Sequence, residues 1–225
     1  MHELFVTERA GQVHPALVTA AREAGVRVSW ITERAAAGLS ETVTPQGIVA
    51  VCGLLDRPLD GLLAPGARLV AVLVGVSDPG NAGTVIRVAD AAGADAVILA
   101  GDSVDPHNGK CVRASAGSVF HPPIARTRDV AAALRTCRDA ELRVLAAHGY
   151  AETSLDALDL TTPTAWVFGN EAHGLAPDVL DASDESVRIP LYGEAESLNL
   201  ATAAAVCLYG SAMARVAAER RSSGG

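Results

Sequence analysis

Paired cysteines, long apolar runs and an export signal are all missing from this sequence. Its four cysteines, Cys52, Cys111, Cys137 and Cys207, stand far apart with no C-x-x-C pair. That leaves neither a zinc spacing nor a disulfide framework, and it fits reduced thiols in a cytoplasm, most of them core filler. No other metal-ligand constellation is visible. The longest apolar stretch, Leu198 to Ala214, is interrupted by Asn199, Thr202 and Gly210 and falls short of a membrane span. The first residues, Met1-His2-Glu3-Leu4-Phe5, show no basic start followed by an apolar segment, so nothing there reads as an export signal. The expectation is a cytoplasmic protein with no metal and no membrane partner. What remains is globular: 225 residues, 49% hydrophobic and 20% charged, with no low-complexity run. This length allows one ordinary domain, or one of about 150 residues with a smaller module.

Positive charge is also scarce. The formal net charge is −8, which by itself argues against a polyanionic partner. The distribution is uneven, however. Residues 144–200 hold one base against ten acids, whereas residues 101–143 hold seven bases (Lys110, Arg113, Arg126, Arg128, Arg135, Arg138, Arg143) against five acids. Whole-chain charge governs long-range steering, but contact with phosphate needs only a local positive face. Charge alone favours reading these arginines as ordinary solvated surface.

The Pro/Gly-rich stretch 56–66 reads as a linker. Before it, residues 1–55 give a helix over 15–24 and strands over 26–31 and 48–52, too little for a full core. After it, residues 67–225 alternate strands and helices. The β-branched run Leu69–Val74 predicts a strand buried on both faces. Asp78 to Gly83 reads as a tight loop and 84–92 as a helix closed by Gly93. Further strands are expected over 96–100, 142–147, 164–168 and 186–190, with helices over 129–140 and 197–219. Such alternation predicts an α/β domain with a mainly parallel sheet and its ligand site at the carboxyl ends of the strands.

Three clusters could carry chemistry. Gly75 to Gly80 has the G-x4-G frame of a P-loop, but Asn81 and Ala82 stand where Lys and Ser/Thr belong. Neither a phosphate cation nor a magnesium hydroxyl is therefore available. A G-x-G-x-x-G fingerprint is absent too. The combination of Asn81, Gly83 and Arg87 lifts this loop above a plain turn, because a lone arginine among Val85, Ile86, Val88 and Ala89 needs a partner or a solvent-facing cleft. The second cluster is Phe168-Gly-Asn-Glu-Ala-His-Gly-Leu175, where glycines allow a sharp turn and close approach to a ligand. Glu171 lies there at a strand end, and His173 reads as incidental rather than as a base. The third is Ile189-Pro-Leu-Tyr-Gly-Glu-Ala-Glu-Ser-Leu-Asn199. Ser197 is expected to cap the last helix, leaving Asn199 at the second helical position without a local explanation.

In this order the clusters resemble the motifs of the SpoU/TrmH branch of the SPOUT RNA methyltransferases. Asn81-Ala-Gly83 through Arg87 looks like motif 1, Val167 through Leu175 like motif 2, and Val187-Arg-Ile-Pro190 through Ser197-Leu-Asn199 like motif 3. Lys110-Cys-Val-Arg-Ala-Ser115-Ala-Gly117 matches a further segment common there, and the resemblance covers roughly residues 68–215. Residues 13–53 are similar to the later part of the ribosomal-protein-like RNA-binding module that precedes many such domains, with Pro45 where histidine is common. The first strand and helix of that module are expected to be missing.

The resemblance implies a SPOUT α/β knot, a mainly parallel sheet with a C-terminal trefoil knot, and transfer of a methyl group from S-adenosylmethionine to a ribose 2′-hydroxyl. The substrate would be a structured RNA, ribosomal rather than transfer RNA, with no DNA, and the protein would be a homodimer. By matching position, Gly169, Asn170, Ile189, Leu198 and the segment Leu145, Ala146 and Ala147 would contact the donor. Arg87, with Asn81, Glu171, Ser197 and Asn199, would serve catalysis, and Lys110, Arg113 and Ser115 would meet RNA. Two alternatives stay open on sequence alone: a non-catalytic RNA-binding relative, and a small-molecule enzyme on a nucleotide-binding α/β fold. Few aromatics are available to stack on bases; among those outside the motifs, Phe5, Trp30 and Phe120 are the candidates.

Overall fold

Leu4 and Val6 alternate within five residues and both are buried, so the chain starts with a strand, β1 (Glu3–Thr7). The computed structural model describes residues 1–223 and divides into two units, Met1–Leu54 and the chain from Leu55 onward. In the first unit β1 is followed by α1 (Glu8–Val13), α2 (Pro15–Glu23), β2 (Arg27–Ile31), α3 (Glu33–Leu39) and β3 (Ile48–Val51). Strand β1 lies in the middle of a three-stranded sheet, parallel to β2 and antiparallel to β3. Thr7 caps α1 through Ala10 N at 3.2 Å, and Thr32 caps α3 through Ala35 N at 3.2 Å. The expectation that the first strand and helix are missing is therefore corrected. Two buried apolar residues in five are too faint a period to read without the partner strands that cover them.

The second unit contains β4 (Asp56–Arg57), β5 (Leu69–Val74), α4 (Pro79–Ala91), β6 (Ala96–Ala100), α5 (Gly109–Ser115), β7 (Ile124–Thr127) and α6 (Val130–Asp139). It continues with β8 (Arg143–Ala147), β9 (Thr153–Ser154), β10 (Thr164–Phe168), α7 (Pro177–Asp181), β11 (Glu185–Arg188) and α8 (Leu200–Ser223). Every pairing in its sheet is parallel, in the order β4-β7-β6-β5-β10-β8-β11-β9. Strand β5 sends Leu69, Ala71 and Leu73 into a layer with α4 and α8, and Val70 and Val72 into a layer with α6 and α7. Covered on both faces, the sheet is the α/β architecture that the apolar strand runs predicted. Residues 56–66 are not a free linker: β4 pairs with β7, and Leu62 is buried in the core.

Two helix starts differ from the sequence expectation. Helix α4 begins at Pro79, with Asp78 as its cap accepting from Asn81 N at 2.9 Å. The segment read as a tight loop is thus the first turn of the helix, as Pro at N1 favours. Gly83 lies inside α4, where a Cβ would stand 2.3 Å from Cys111 O and 2.8 Å from Ala114 Cβ of α5. Gly83→Ala is expected to destabilise the protein by about 1–3 kcal/mol through overpacking. Chemical denaturation measures this, and an unchanged midpoint would mean that α5 moves freely away from α4. Helix α8 begins at Leu200, three residues later than expected, because Asn199 and not Ser197 caps it: Asn199 Oδ1 accepts from Ala201 N at 2.9 Å. Helix α8 is long and apolar enough by length and composition to cross a membrane, unlike the shorter run read from sequence. In this fold Ala201, Ala204, Cys207, Leu208 and Ser211 are buried in the domain core, and the Trp166 indole N–H donates to Ser211 Oγ at 2.9 Å.

Candidate active site

Strand ends converge where β8, β10 and β11 stop and α8 begins. A cavity of about 420 Å³ opens there, walled by Ala147, His148 and Gly149 after β8, by Phe168–Glu171 after β10, and by Ile189, Leu191 and Glu196–Leu200 after β11. Asn81 reaches it from α4. Parallel strands bring loops to one edge, which is why ligand sites form there.

The loop after β10 is set by its backbone. Asn170 and Gly174 exchange N–H···O bonds of 3.0 and 2.8 Å, and Asn170 Oδ1 accepts from Ala172 N at 2.9 Å. Its amide donates to Gly75 O at 2.8 Å, tying this loop to the end of β5. At Gly169 a Cβ would lie 2.4 Å from Gly174 C and 2.6 Å from Leu175 N. Only glycine closes this turn.

Asn81 joins all three clusters. Its Nδ2 donates to Glu171 Oε1 at 3.1 Å, and its Oδ1 accepts from Asn199 Nδ2 at 3.1 Å. Glu171 accepts further bonds from Ser77 N, Ser77 Oγ and Asp78 N, each 3.2 Å. Burial alone would raise the Glu171 carboxyl, but the hydrogen bonds from Asn81 and the backbone amides outweigh it and hold the group below the usual carboxylate range. Asp78 is lowered as well, first by Lys110, whose Nζ lies 2.6 Å from Asp78 Oδ1, and then by its capping bond to Asn81 N. A carboxyl whose folded pKa lies below its unfolded value contributes stability that is present above the unfolded pKa and lost as pH falls through the folded one. On account of these two groups, melting temperature should be flat from neutral pH down to about pH 5 and fall below it. Thermal melts of parent and Glu171→Gln across that range test this; an equally steep acid limb in the variant would assign the loss to other carboxylates.

The residues expected from sequence divide clearly. Asn81, Glu171, Ser197 and Asn199 line the cavity, as do Gly169, Asn170, Ile189, Leu198 and Ala147. Leu145 and Ala146 do not: they are wholly buried within β8, one or two residues short of the strand end. Arg87 is exposed in the middle of α4 and is not part of the lining. It does not pair with Glu171, whose oxygens are taken by Ser77, Asp78 and Asn81. Ser115 is buried, its hydroxyl donating to Val112 O at 2.7 Å, so it is no surface contact. The wall residues His148 and Gly149 were missed; their only signal was that they follow directly after a predicted strand.

The positive segment is largely neutralised by acids drawn from elsewhere in the chain. Lys110 pairs with Asp78, Arg126 with Asp56, Arg138 with Asp184, and Arg143 with Glu185; within the segment Arg126 also pairs with Asp105 and Arg135 with Asp129. Counting along the sequence could not foresee partners 30 to 70 residues away. The cysteine reading stands on geometry: Cys111, Cys137 and Cys207 are buried, and burial pushes the Cys111 and Cys137 thiols up to about 11 and about 12.

Known proteins resemble this chain in sequence and in fold. Residues 68–209 match the model of the SpoU rRNA Methylase family, and residues 1–57 match that for RNA 2′-O ribose methyltransferase substrate binding. The 23S rRNA (guanosine(2553)-2′-O)-methyltransferase RlmP of Bacillus subtilis is 37% identical over 187 residues, covering 83% of this chain and 73% of its own. The 23S rRNA (guanosine-2′-O-)-methyltransferase RlmB of Xylella fastidiosa is 36% identical over 195 residues, covering 84% and 78%. Among solved structures, the AdoMet-bound rRNA methyltransferase from Sinorhizobium meliloti superposes with a TM-score of 0.82 at 33% identity, covering 93% of this chain and 78% of that one.

Proposed function

The chain belongs to the SpoU rRNA methylase family, and from that membership we propose that it methylates the ribose 2′-hydroxyl of a guanosine in 23S rRNA with S-adenosylmethionine. The observation that carries this is the convergence of three sequence-distant clusters, through Asn81, Glu171 and Asn199, on the rim of one cavity. The cavity suits the donor. Its volume falls in the range of roughly 300–1,000 Å³ usual for small-molecule sites. Its walls combine small and apolar side chains (Ala147, Gly149, Ile189, Leu198) with exposed backbone at loop ends.

When bound, S-adenosylmethionine supplies an electrophilic methyl group. The chain's own residues must place the ribose and manage a weakly acidic hydroxyl proton. Asn81, fixed between Glu171 and Asn199, orients the acceptor at the rim, and Ser197 offers an exposed hydroxyl beside it. Arg87 carries a planar guanidinium without a free lone pair. Its suited role is to bind the phosphate beside the target ribose, or the oxyanion that develops there. Because Arg87 does not line its own cavity, we assign it to the cavity of a second subunit.

A homodimer follows from that assignment. Val206, Tyr209, Met213 and Val216 form an exposed apolar stripe on α8 at spacings of three and four residues, the pattern of a helix face that packs against another surface. Met213→Glu is expected to yield a monomer of 23.0 kDa without methyl-transfer activity. Sedimentation at low micromolar concentration measures this, and a fully active monomer would overturn the dimer. We place the protein in the cytoplasm, on the strength of its buried thiols and an rRNA substrate.

The function itself is tested by incubating 23S rRNA and transfer RNA with labelled S-adenosylmethionine and mapping 2′-O-methyl positions. The expected result is label at a single guanosine. Label only on transfer RNA, or on the base, would overturn the reading.

A further inference from the structure

Of Phe5, Trp30 and Phe120, one stands in an unusual setting. Phe5 is half-buried in the central strand β1. Phe120 is exposed, and among the described residues no cation lies across its ring. Trp30, at the edge of the first unit's sheet on β2, is 50% exposed, whereas the other tryptophan, Trp166, is wholly buried. A half-exposed indole loses much of the benefit of burial.

Its ring is nevertheless held. On β2 the side chains alternate, so Trp30 shares a face with Val28, which packs against the small core of Leu4, Val6 and Val18. The far edge of the ring rests on α1 at Gly11, where a Cβ would come within 2.6 Å of both Cη2 and Cζ3. Glycine at this buried position makes the seat. Across the ring, the Arg22 guanidinium of α2 stands 6.0 Å from the indole centroid. That is the outer limit of cation–π contact, so the guanidinium covers the ring only loosely, and both planar groups remain accessible. The first unit is also nearly neutral, with four arginines against five glutamates over residues 1–54, so it lacks the strong acidity of residues 144–200.

We propose that Trp30 and Arg22 form a stacking site for an unpaired base of the substrate RNA, separate from the methyl-transfer cavity. The inference rests on the RNA methyltransferase reading and adds the substrate feature that the first unit recognises. Unstacked bases are taken up on aromatic rings and guanidinium planes because every base has a π face. The site therefore selects single-stranded over paired RNA and is tolerant of base identity. Fixing the ring on Gly11 before binding removes the cost of ordering it.

The full chain is titrated with a single-stranded RNA of roughly a dozen nucleotides, long enough for such a site, and with the same RNA annealed to its complement. Tryptophan emission is the readout. Stacking should quench Trp30, while buried Trp166 gives a constant background. The expected results are quenching by the single strand and little by the duplex. Trp30→Ala should weaken single-strand binding roughly 5- to 100-fold and abolish the quench. Arg22→Gln, an exposed substitution that leaves the core alone, should weaken binding severalfold and keep the quench. Gly11→Ala, which pushes on the ring without removing it, should also weaken binding. Calorimetry with S-adenosylmethionine should be unchanged in Trp30→Ala and Arg22→Gln. Unaltered single-strand affinity in Trp30→Ala and Arg22→Gln, or equal quenching by duplex, overturns the stacking site. A parent chain that quenches with single-stranded RNA but methylates no RNA would instead overturn the functional reading.

Discussion

Arg87→Ala should fold and bind S-adenosylmethionine like the parent chain while losing methyl transfer by roughly 10²–10⁴-fold, the range for a group that takes part in proton transfer or charge stabilisation. The side chain is exposed on α4 and lies outside the cavity that would hold the donor. Its removal leaves no buried carboxylate behind, because Glu171 is satisfied by Ser77, Asp78 and Asn81. Surface substitutions of this kind usually change stability by less than about 0.5 kcal/mol, so a thermal melt should show no loss. Kinetics then separate the two roles. A phosphate ligand used equally in ground and transition states raises KM for RNA with kcat unchanged, whereas a group acting on the developing oxyanion lowers kcat. A folded Arg87→Ala that methylates RNA at the parent rate would remove Arg87 from the mechanism.

Gly169→Val should weaken donor binding strongly and lower the melting temperature together. A side chain at this donor-contacting position would intrude on the cavity, since Gly169 lines it. The structure gives a nearer obstacle: the added Cβ meets Gly174 C at 2.4 Å and Leu175 N at 2.6 Å, both backbone. The loop can yield only by breaking the paired bonds between Asn170 and Gly174, and with them the placement of Glu171 beside Asn81. Overpacking strain of roughly 1–3 kcal/mol, taken wholly from donor affinity, corresponds to about 5- to 150-fold. The β-branched side chain adds to it. Calorimetry with S-adenosylmethionine beside a thermal melt decides the matter. Normal donor affinity in a destabilised Gly169→Val would place the donor away from this loop.

Much of the protein was legible one residue at a time. Short apolar runs such as Leu69–Val74 and Ala96–Ala100, bounded by turn residues, read as strands covered on both faces, so the parallel α/β architecture was legible from local pattern. Motif order likewise brought Asn81, Glu171 and Asn199 forward before any distance was known. Local pattern failed where a long-range partner decides the outcome. Strand β1 exists because β2 and β3 flank it. Position 83 of α4 is restricted to glycine because α5 packs against it, and Asn199 rather than Ser197 caps α8 while also bonding Asn81. The surplus of positive charge over 101–143 vanished when Asp56, Asp78, Asp184 and Glu185 folded onto it.

Composition and periodicity are properties of neighbours along the chain, so they determined the class of fold, the strand ends at which a site could form, and the residue types available there. Hydrogen bonds, ion pairs and backbone contacts join residues far apart in sequence. Only the tertiary structure could therefore decide that Asn81 is the junction of the three clusters, that Gly169 is required by Gly174, and that Arg87 faces solvent rather than its own cavity.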